Sequence, residues 1–312
     1  MSISRHHHYL SQCYLKGFTQ GNSKKSKLTV IDLKELKKFE TIPRNVGGMR
    51  DFNRVEIDGI DPEIIEKQQS EFESKVAHAL KNIAETLDFS GETKDLILEL
   101  IGMLAIKSPE MREHLSKPLI QIAKMTMAMT METKERWESQ IAQVKADTGE
   151  DISNGKTYEE MKEFVERQEF DISVNKEHQI HMELIGMQQI TELLHRRNWT
   201  LVKAGKESGE FITTDNPVSL AWHDPAQVPP FMSPGFGLKD TMVYFPITKN
   251  IALVGEFDRE DTVKEANEFL VAILNSKIIA NSYQRVFAAK NNFNYIAKGG
   301  TISPASTLLK RT

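Results

Sequence analysis

Three consecutive histidines near the amino terminus are the first side chains with types suited to chemistry. His6, His7 and His8 run directly into Tyr9 without a linker, which is typical of a native segment rather than a purification tag. Imidazoles titrate near neutral pH, and they serve as general bases and metal ligands. Neighbouring residues of a strand point to opposite faces, so we expect at most one of His7 and His8 to face a site.

A carboxylate and an amide follow the strand that the pattern predicts over residues 210–213. Asp215, Asn216 and Pro217 stand at its end. Carboxylates at strand ends often face a cleft, where Asp and Asn hold a divalent metal or position a water molecule. The same residues also form a good turn, because their side chains bond to their own backbone. Both interpretations stay open.

Histidines recur on a helix that the sequence predicts over residues 175–197. Several polar side chains fall within a stripe about 100° wide on that helix. The stripe either lines a site, with an i,i+3 histidine pair, or is the solvated face of the helix. Its spacing differs from the His-Glu-x-x-His pattern of zinc proteases, and no Cys-x-x-Cys accompanies it. The members are His178, His181, Gln188, Glu192 and His195.

An arginine near the carboxy terminus completes the candidate set. Arg285 is predicted, with Asn275, on a long helix over residues 261–289. A buried guanidinium can grip a phosphate or a carboxylate with two parallel hydrogen bonds. It could equally pair with a structural acid such as Asp215.

Three regions, residues 1–60, 61–198 and 199–312, are predicted to position these side chains within one composite domain. The first contains a strand hairpin over residues 28–42, and the last contains another over residues 243–254. These strands and the helical middle predict a helix-rich α+β fold. In it, a small mixed or antiparallel sheet is built from the amino- and carboxy-terminal regions, and a single shared sheet is the most economical arrangement.

The middle region is predicted to be helical throughout. Asp61-Pro62-Glu63 and Ser108-Pro109-Glu110 each combine a capping residue, a proline and an acid, which is a helix-start signal. Methionines alternate with small residues over 125–131, but the flanks are helical. We therefore predict a helix whose methionines fill a core or an interface. Prolines and glycines over residues 223–240 predict a long ordered loop or a lid.

Composition and charge limit the class of protein. Apolar residues make up 39% and charged residues 27% of the 312 residues, as in globular domains. The single cysteine, Cys13, is predicted to be a buried filler and excludes an intrachain disulfide. No signal-peptide core and no run of about 18 apolar residues is present, so we expect a cytoplasmic protein without a membrane segment.

The charge is unevenly spread. Residues 1–60 hold 11 Lys and Arg against 6 Asp and Glu, a net charge of +5, which leaves −9 for the rest of the chain. The basic region could face a phosphate backbone, or it is a solvated hairpin whose lysines protect a sheet edge. The overall acidity disfavours a dedicated nucleic-acid binder.

Several short motifs, taken in order, resemble one family. The opening His7-His8-Tyr9 is followed by Tyr14-Leu15-Lys16-Gly17-Phe18, and later by Phe211-Ile212-Thr213-Thr214-Asp215-Asn216-Pro217-Val218. Phe245-Pro246-Ile247, Asn275 and Arg285-Val286-Phe287 complete the series. This order is similar to that of the domain of unknown function 4238 family, which often has serine where Thr214 stands. The resemblance implies a fold shared across nearly the whole chain and little about mechanism.

Two hypotheses of function follow. No Walker loop, Gly-x-Gly-x-x-Gly or Gly-x-Ser-x-Gly motif is present, which disfavours nucleotide-driven motors, dinucleotide oxidoreductases and common serine hydrolases. The leading hypothesis is a nuclease-like or phosphodiesterase-like hydrolase of nucleic acid or nucleotides, in which Asp and Asn either hold a divalent metal or position a water molecule. The cofactor stays open. The rival is a non-enzymatic binding or regulatory protein whose motifs fix the fold. The candidate catalytic residues are His7, His8, His181, Asp215, Asn216 and Arg285.

Overall fold

A computed structural model describes residues 5–168 and 170–309. The chain divides into two compact units. The larger unit comprises the residues up to Pro109 together with those from Ile180 onward, and the smaller unit comprises Glu110–Gln179. Every strand found in the described residues lies in the larger unit. Across the described part of the chain, none of the helices combines the length and the apolar character that crossing a bilayer requires.

The architecture is α+β with more helix than strand, as the sequence predicts. The helices of the described residues are α1 (Gln12–Leu15), α2 (Ile64–Thr86), α3 (Gly91–Ile106), α4 (Pro109–Thr130), α5 (Lys134–Thr148), α6 (Tyr158–Arg167), α7 (Lys176–His195) and α8 (Glu268–Ala280). The strands are β1 (His6–His8), β2 (Leu28–Asp32), β3 (Lys37–Thr41), β4 (Gly48–Arg50), β5 (Asn198–Ala204), β6 (Thr213–Thr214), β7 (Ser219–Trp222), β8 (Thr241–Thr248), β9 (Ile251–Glu256), β10 (Thr262–Ala266), β11 (Arg285–Ala288), β12 (Asn294–Ile296) and β13 (Ile302–Pro304).

Two sheets organise the larger unit. One has the strand order β10-β5-β9-β8-β7, and within it the β10–β5 pair is parallel. The other has the order β3-β2-β11-β6 and is antiparallel throughout. This second sheet joins the amino-terminal hairpin to the carboxy-terminal region, as predicted. The economical single sheet is wrong, because the β8–β9 hairpin pairs in the first sheet instead.

Tyr14 connects the amino-terminal segment to both sheets. Its hydroxyl hydrogen-bonds Thr213 Oγ1 on β6 at 2.7 Å and donates to the Pro246 carbonyl on β8 at 2.8 Å. Its ring stacks on Phe245 with the centroids 5.1 Å apart. The neighbouring Cys13 is buried, which confirms the prediction of a buried filler.

The long helices α2 and α3 pack against the interior of the larger unit. The buried face of α2 carries residues at intervals of three and four, as expected for an amphipathic helix. In contrast, α3 is apolar around most of its circumference and is correspondingly buried. At Gly102 of α3 a Cβ atom would meet the Thr191 hydroxyl and lie 3.1 Å from the Met187 carbonyl of α7. Glycine therefore permits the close approach of α3 and α7.

The smaller unit is helical, and two of its helices begin at recognisable caps. The side chain of Thr133 accepts a hydrogen bond from the Arg136 amide at the start of α5. At the start of α6, Thr157 and Glu160 form a reciprocal capping box. The predicted methionine-rich helix is confirmed, since residues 125–130 belong to α4.

The predicted helix over residues 261–289 is wrong. The segment consists of strand β10, helix α8 and strand β11. The Asn267 side chain caps α8 by accepting a hydrogen bond from the Leu270 amide, so the helix starts at Glu268, seven residues later than expected. The apolar pair Val286 and Phe287 continues the pattern of α8 but pairs with β2 instead. Consequently Asn275 lies on α8 and Arg285 on β11.

The proline-rich segment over residues 223–240 is an ordered loop. Arg197, which is buried, donates to the Phe236 carbonyl at 2.6 Å and to the Thr241 carbonyl at 2.8 Å. Its guanidinium also lies 4.3 Å from the centre of the Phe257 ring. Burial lowers the pKa of Arg197 to about 10, so the side chain remains charged at neutral pH and fixes the loop to β8.

Candidate functional site

His7 lies in a buried polar network at the edge of the β1–β4 ribbon. Its side chain is fully buried. The Asn53 amide donates to His7 Nδ1 at 3.0 Å, so Nδ1 is an acceptor and the ring proton of the neutral form lies on Nε2. That nitrogen is 3.1 Å from Glu63 Oε2.

Glu63 is held between a histidine and an arginine. Arg54 Nη1 donates to Glu63 Oε1 at 2.8 Å. Glu63 Oε2 accepts no hydrogen bond of good geometry among the described residues, although His7 Nε2 is within ion-pair distance. A pair at this distance without hydrogen-bond geometry is a weak contact. The histidine and the carboxylate are therefore close, but poorly aligned.

The network continues through amide side chains on α2. Asn53 Nδ2 donates to Glu66 Oε2 at 2.7 Å and to Gln69 Oε1 at 2.9 Å. Lys107 Nζ also contacts Gln69 Oε1. Gln69 Nε2 in turn donates to the His8 carbonyl at 3.0 Å, which ties the β1 strand to α2.

A cavity opens beside this network, among α2, α3 and α7, and we call it the α2–α3–α7 cavity. Its volume is about 240 Å³. Most of its wall is apolar, whereas Asn53, Gln69, Lys107 and Glu183 are buried polar residues that line it. The apolar lining residues are Ile65, Phe72, Met103, Ile106, Ile180, Leu184 and Met187.

Asn53 leaves one buried acceptor unused at the cavity wall. The residue is fully buried, and its Oδ1 has no hydrogen-bond donor among the described residues. Buried polar atoms are almost always hydrogen-bonded, so this oxygen calls for a partner that the described chain does not supply. A ligand with an N–H or O–H group would provide it.

His8 makes contacts different from those of His7. Its Nε2 lies 3.3 Å from the Arg44 carbonyl, and since a carbonyl only accepts, Nε2 carries the proton. Burial lowers the pKa of His8, and the hydrogen bond to Arg44 opposes that shift. His8 is therefore predominantly neutral in the folded protein near pH 7.

Asp215 binds backbone amides on the segment that leads into β11. Its Oδ1 accepts from the Tyr283 amide at 3.0 Å, and its Oδ2 accepts from the Gln284 and Arg285 amides at 2.9 Å each. Three amides on one carboxylate fix the conformation of this turn. The geometry is that of a turn-stabilising group, and the catalytic role of Asp215 stays a prediction.

Arg285 pairs with a different acid from the one proposed in the sequence. Its Nε donates to Asp32 Oδ2 at 3.2 Å, and Gln284 Nε2 donates to the same oxygen at 2.7 Å. Burial raises the pKa of Asp32. Hydrogen bonds from the Glu35 amide and from these two side chains outweigh burial, and the pKa lies below its usual value. Asp215 contacts the backbone of Arg285.

Asn216 and Asn281 bond reciprocally across this turn. Asn216 Nδ2 donates to the Asn281 carbonyl, and Asn281 Nδ2 donates to the Asn216 carbonyl, both at 2.9 Å. The structure thus brings Asp215, Asn216 and Arg285 together around residues 281–285. It places His7 and His8 in the network beside α2.

His181 lies on the exposed side of α7, together with the other members of its stripe. Over residues 5–168 and 170–309, no group of three or more His, Cys, Asp or Glu side chains is arranged to hold a metal ion. The divalent metal of the hydrolase hypothesis therefore has no ligand cluster in that part of the chain, and the role of His181 stays a prediction.

Sequence reasoning missed the residues that line the cavity. Gln69 carried a usable signal, because it is a polar residue on the apolar face of α2, in register with Phe72 and Val76. Lys107 and Glu183 carried none, since lysine and glutamate are ordinarily solvated. Asn53 lies in an irregular segment, where no periodicity indicates which side chains are buried.

A family model described as a protein of unknown function (DUF4238) matches residues 6–292. The chain belongs to the DUF4238 family. No curated protein and no solved structure matches the chain. The description of the DUF4238 family names no activity.

Proposed function

We propose that this DUF4238 protein is a binding protein that holds a compact small molecule in the α2–α3–α7 cavity. The observation that supports this most strongly is the buried, unpartnered Oδ1 of Asn53, a residue in the lining of a largely apolar cavity. Ligand pockets typically combine apolar walls with a few convergent polar groups. This proposal corresponds to the non-enzymatic hypothesis of the sequence.

The cavity defines the chemistry of its ligand. Its volume of about 240 Å³ lies just below the range of drug-sized pockets, so the ligand is small. Phe72, Met103 and Met187 line the cavity and suit a ligand whose main part is aliphatic or aromatic. The oxygen of Asn53 requires a donor at the polar end, such as a primary amide or a hydroxyl group.

Calorimetric titration with hexanamide tests this proposal. N,N-dimethylhexanamide is the matched ligand, because it has a similar body but no N–H donor. We expect hexanamide to bind and the dimethyl compound to bind at least about tenfold more weakly, since it leaves the Asn53 acceptor unpaired. Equal affinities would contradict the role of Asn53.

A cavity-filling substitution provides the matched variant. Met187→Trp places an indole in the cavity, whereas Met125→Trp makes the same change at an exposed position on α4. We expect Met187→Trp to abolish hexanamide binding and Met125→Trp to retain it, with melting temperatures confirming that both variants fold. Binding that survives in Met187→Trp, or no binding by the parent, would refute the proposal and assign Asn53 Oδ1 to water.

The hydrolase of nucleic acid or nucleotides is the second candidate function. It is supported by His7 Nε2 lying 3.1 Å from Glu63 Oε2, since a histidine beside a carboxylate is a common general-base pair. It ranks second because the Asn53 amide occupies His7 Nδ1, the nitrogen that could accept a proton, and the ring is fully buried.

Cleavage of mixed RNA and DNA substrates with Mg²⁺, Mn²⁺ or Zn²⁺ tests the hydrolase. The hypothesis requires cleavage by the parent and its loss in Glu63→Gln at an unchanged melting temperature. Absence of cleavage with all three metals, or full activity in Glu63→Gln, would exclude this pair as the catalytic centre.

A further inference from the structure

A second concave site carries an excess of positive charge. It lies between the amino-terminal Cys13–Gly17 segment, the carboxy-terminal part of α2 and the turn between β8 and β9, and its volume is about 300 Å³. We call it the lysine pocket, because Lys16, Lys81 and Lys249 line it. Glu85 is the acidic residue of its lining.

The carboxylates near the pocket do not balance these three ammonium groups. Lys81 Nζ lies 3.8 Å from Glu85 Oε1, with both side chains well exposed, and such pairs contribute little. Lys249 Nζ lies 3.6 Å from Glu210 Oε1. Among the described residues, Lys16 has no carboxylate within 4.0 Å, although it is only partly exposed.

Backbone contacts hold two of the lysines at the same pocket. The Lys249 amide donates to the Gly17 carbonyl at 3.1 Å. A Cβ atom at position 17 would lie 3.1 Å from the Ile247 carbonyl and 3.3 Å from Thr248 Cα, so a side chain there would push the segments apart. Gly17 thereby places Lys16 against the β8–β9 turn.

Hydrogen-bond donors with neutral side chains complete the wall. Asn22, Thr248 and Asn250 line the pocket beside the lysines. Ammonium groups with amide and hydroxyl donors form the usual surroundings of a bound phosphate. A volume of about 300 Å³ suits one small molecule rather than a polymer.

We infer that the lysine pocket binds the phosphate group of a small phosphorylated molecule. This site uses none of the residues of the α2–α3–α7 cavity, and the inference does not rest on the proposed function. It accounts for the Tyr14-Leu15-Lys16-Gly17-Phe18 segment, whose lysine and glycine have no role in that cavity. The phosphate is free or carried by a nucleoside, and the choice of probes separates these sources.

Isothermal titration of the full chain with pyrophosphate, ADP and adenosine tests the inference. Pyrophosphate and ADP are expected to bind, with affinity that falls as salt is raised, whereas adenosine is not. Similar affinities for pyrophosphate and ADP would mean that the pocket recognises only the phosphate groups. Much tighter binding of ADP would indicate that the pocket also contacts the nucleoside. Binding of adenosine as tight as that of ADP, or no binding of any phosphate, would overturn the inference.

Single lysine substitutions locate the binding. Lys16→Gln and Lys249→Gln are each expected to weaken pyrophosphate binding at least about tenfold, because each removes one nearby ammonium charge. Lys38→Gln on β3 is the matched control, since it makes the same change at an exposed position outside the pocket. Melting temperatures confirm folding, and the two pocket variants check each other. Equal affinities in all three variants would show non-specific surface binding and refute the pocket.

Discussion

At the scale of single residues, the candidate side chains divide by the contacts they make. Asp215, Asn216 and Arg285 are engaged by the turn over residues 281–285, with Asp32 as the partner of the guanidinium. Asn53 is a side chain of another kind, because its buried oxygen has no donor among the described residues. We expect substitutions in the first group to change the stability of the protein, and substitution of Asn53 to change ligand binding.

Replacing Asp215 tests the stabilising role of its carboxylate. Asp215→Ala leaves three backbone amides without their acceptor, and we expect it to lower the free energy of unfolding by about 3 kcal/mol. Asp215→Asn keeps one acceptor oxygen, so it should lower the free energy of unfolding by less than Asp215→Ala does. Asp58→Ala, at an exposed position, is the control. Urea denaturation gives the values, and an Asp215→Ala variant as stable as the parent would leave this carboxylate available for a site.

His8 is expected to make stability depend on pH. Burial lowers its folded pKa below 6.5, so on acidification the unfolded chain takes up the proton first. The contribution is complete above pH 6.5 and is lost as the pH falls towards the folded pKa.

The comparison of the parent with His8→Gln isolates this effect, because other titrating groups cancel in the difference. The free energy of unfolding of the parent minus that of the variant should fall as the pH is lowered through about 6.5, and urea denaturation measures it. A difference that stays constant, or rises on acidification, would contradict the buried neutral imidazole.

At the scale of elements, the hairpins were predictable and the cavity was not. Apolar runs separated by turn signals, with alternation over residues 37–42, predicted β2–β3 and β8–β9 from sequence alone. The error over residues 261–289 arose because Val286 and Phe287 extend the apolar pattern of α8, although Asn267 and Asn281 bound that helix. The cavity depends on how α2, α3 and α7 approach each other. That approach is set by tertiary packing, which no local pattern encodes.

Gly102 is expected to control the approach of α3 to α7. Alanine ordinarily stabilises a helix by about 1 kcal/mol relative to glycine. Here the added Cβ meets the Thr191 hydroxyl and the Met187 carbonyl, so we expect Gly102→Ala to destabilise by about 1–3 kcal/mol.

Gly186→Ala is the matched comparison for that variant. Its Cβ meets only the terminal atoms of the Ile106 side chain, which can move aside. Gly186→Ala should therefore destabilise the protein less than Gly102→Ala does. Denaturation that shows Gly102→Ala to be more stable than the parent would contradict the close packing of α3 on α7.

At the scale of the whole molecule, the α2–α3–α7 cavity and the lysine pocket differ in character. The α2–α3–α7 cavity is largely apolar with buried polar groups, whereas the lysine pocket is basic. The uneven charge of the sequence anticipated a basic region, but it could not indicate that Lys249, far along the chain, joins Lys16. The DUF4238 match over residues 6–292 covers every residue that lines either site.

The methionine methyl groups provide the most direct test that the α2–α3–α7 cavity is the binding site. In a protein labelled at its methionine methyls, the NMR signals of Met103 and Met187 report on the cavity, whereas those of Met125 and Met129 report on the exposed side of α4. Titration with hexanamide should shift the signals of Met103 and Met187 together and leave those of Met125 and Met129 unchanged. Shifts confined to Met125 and Met129, or no shift of any methionine at saturating hexanamide, would contradict the binding function proposed for this cavity.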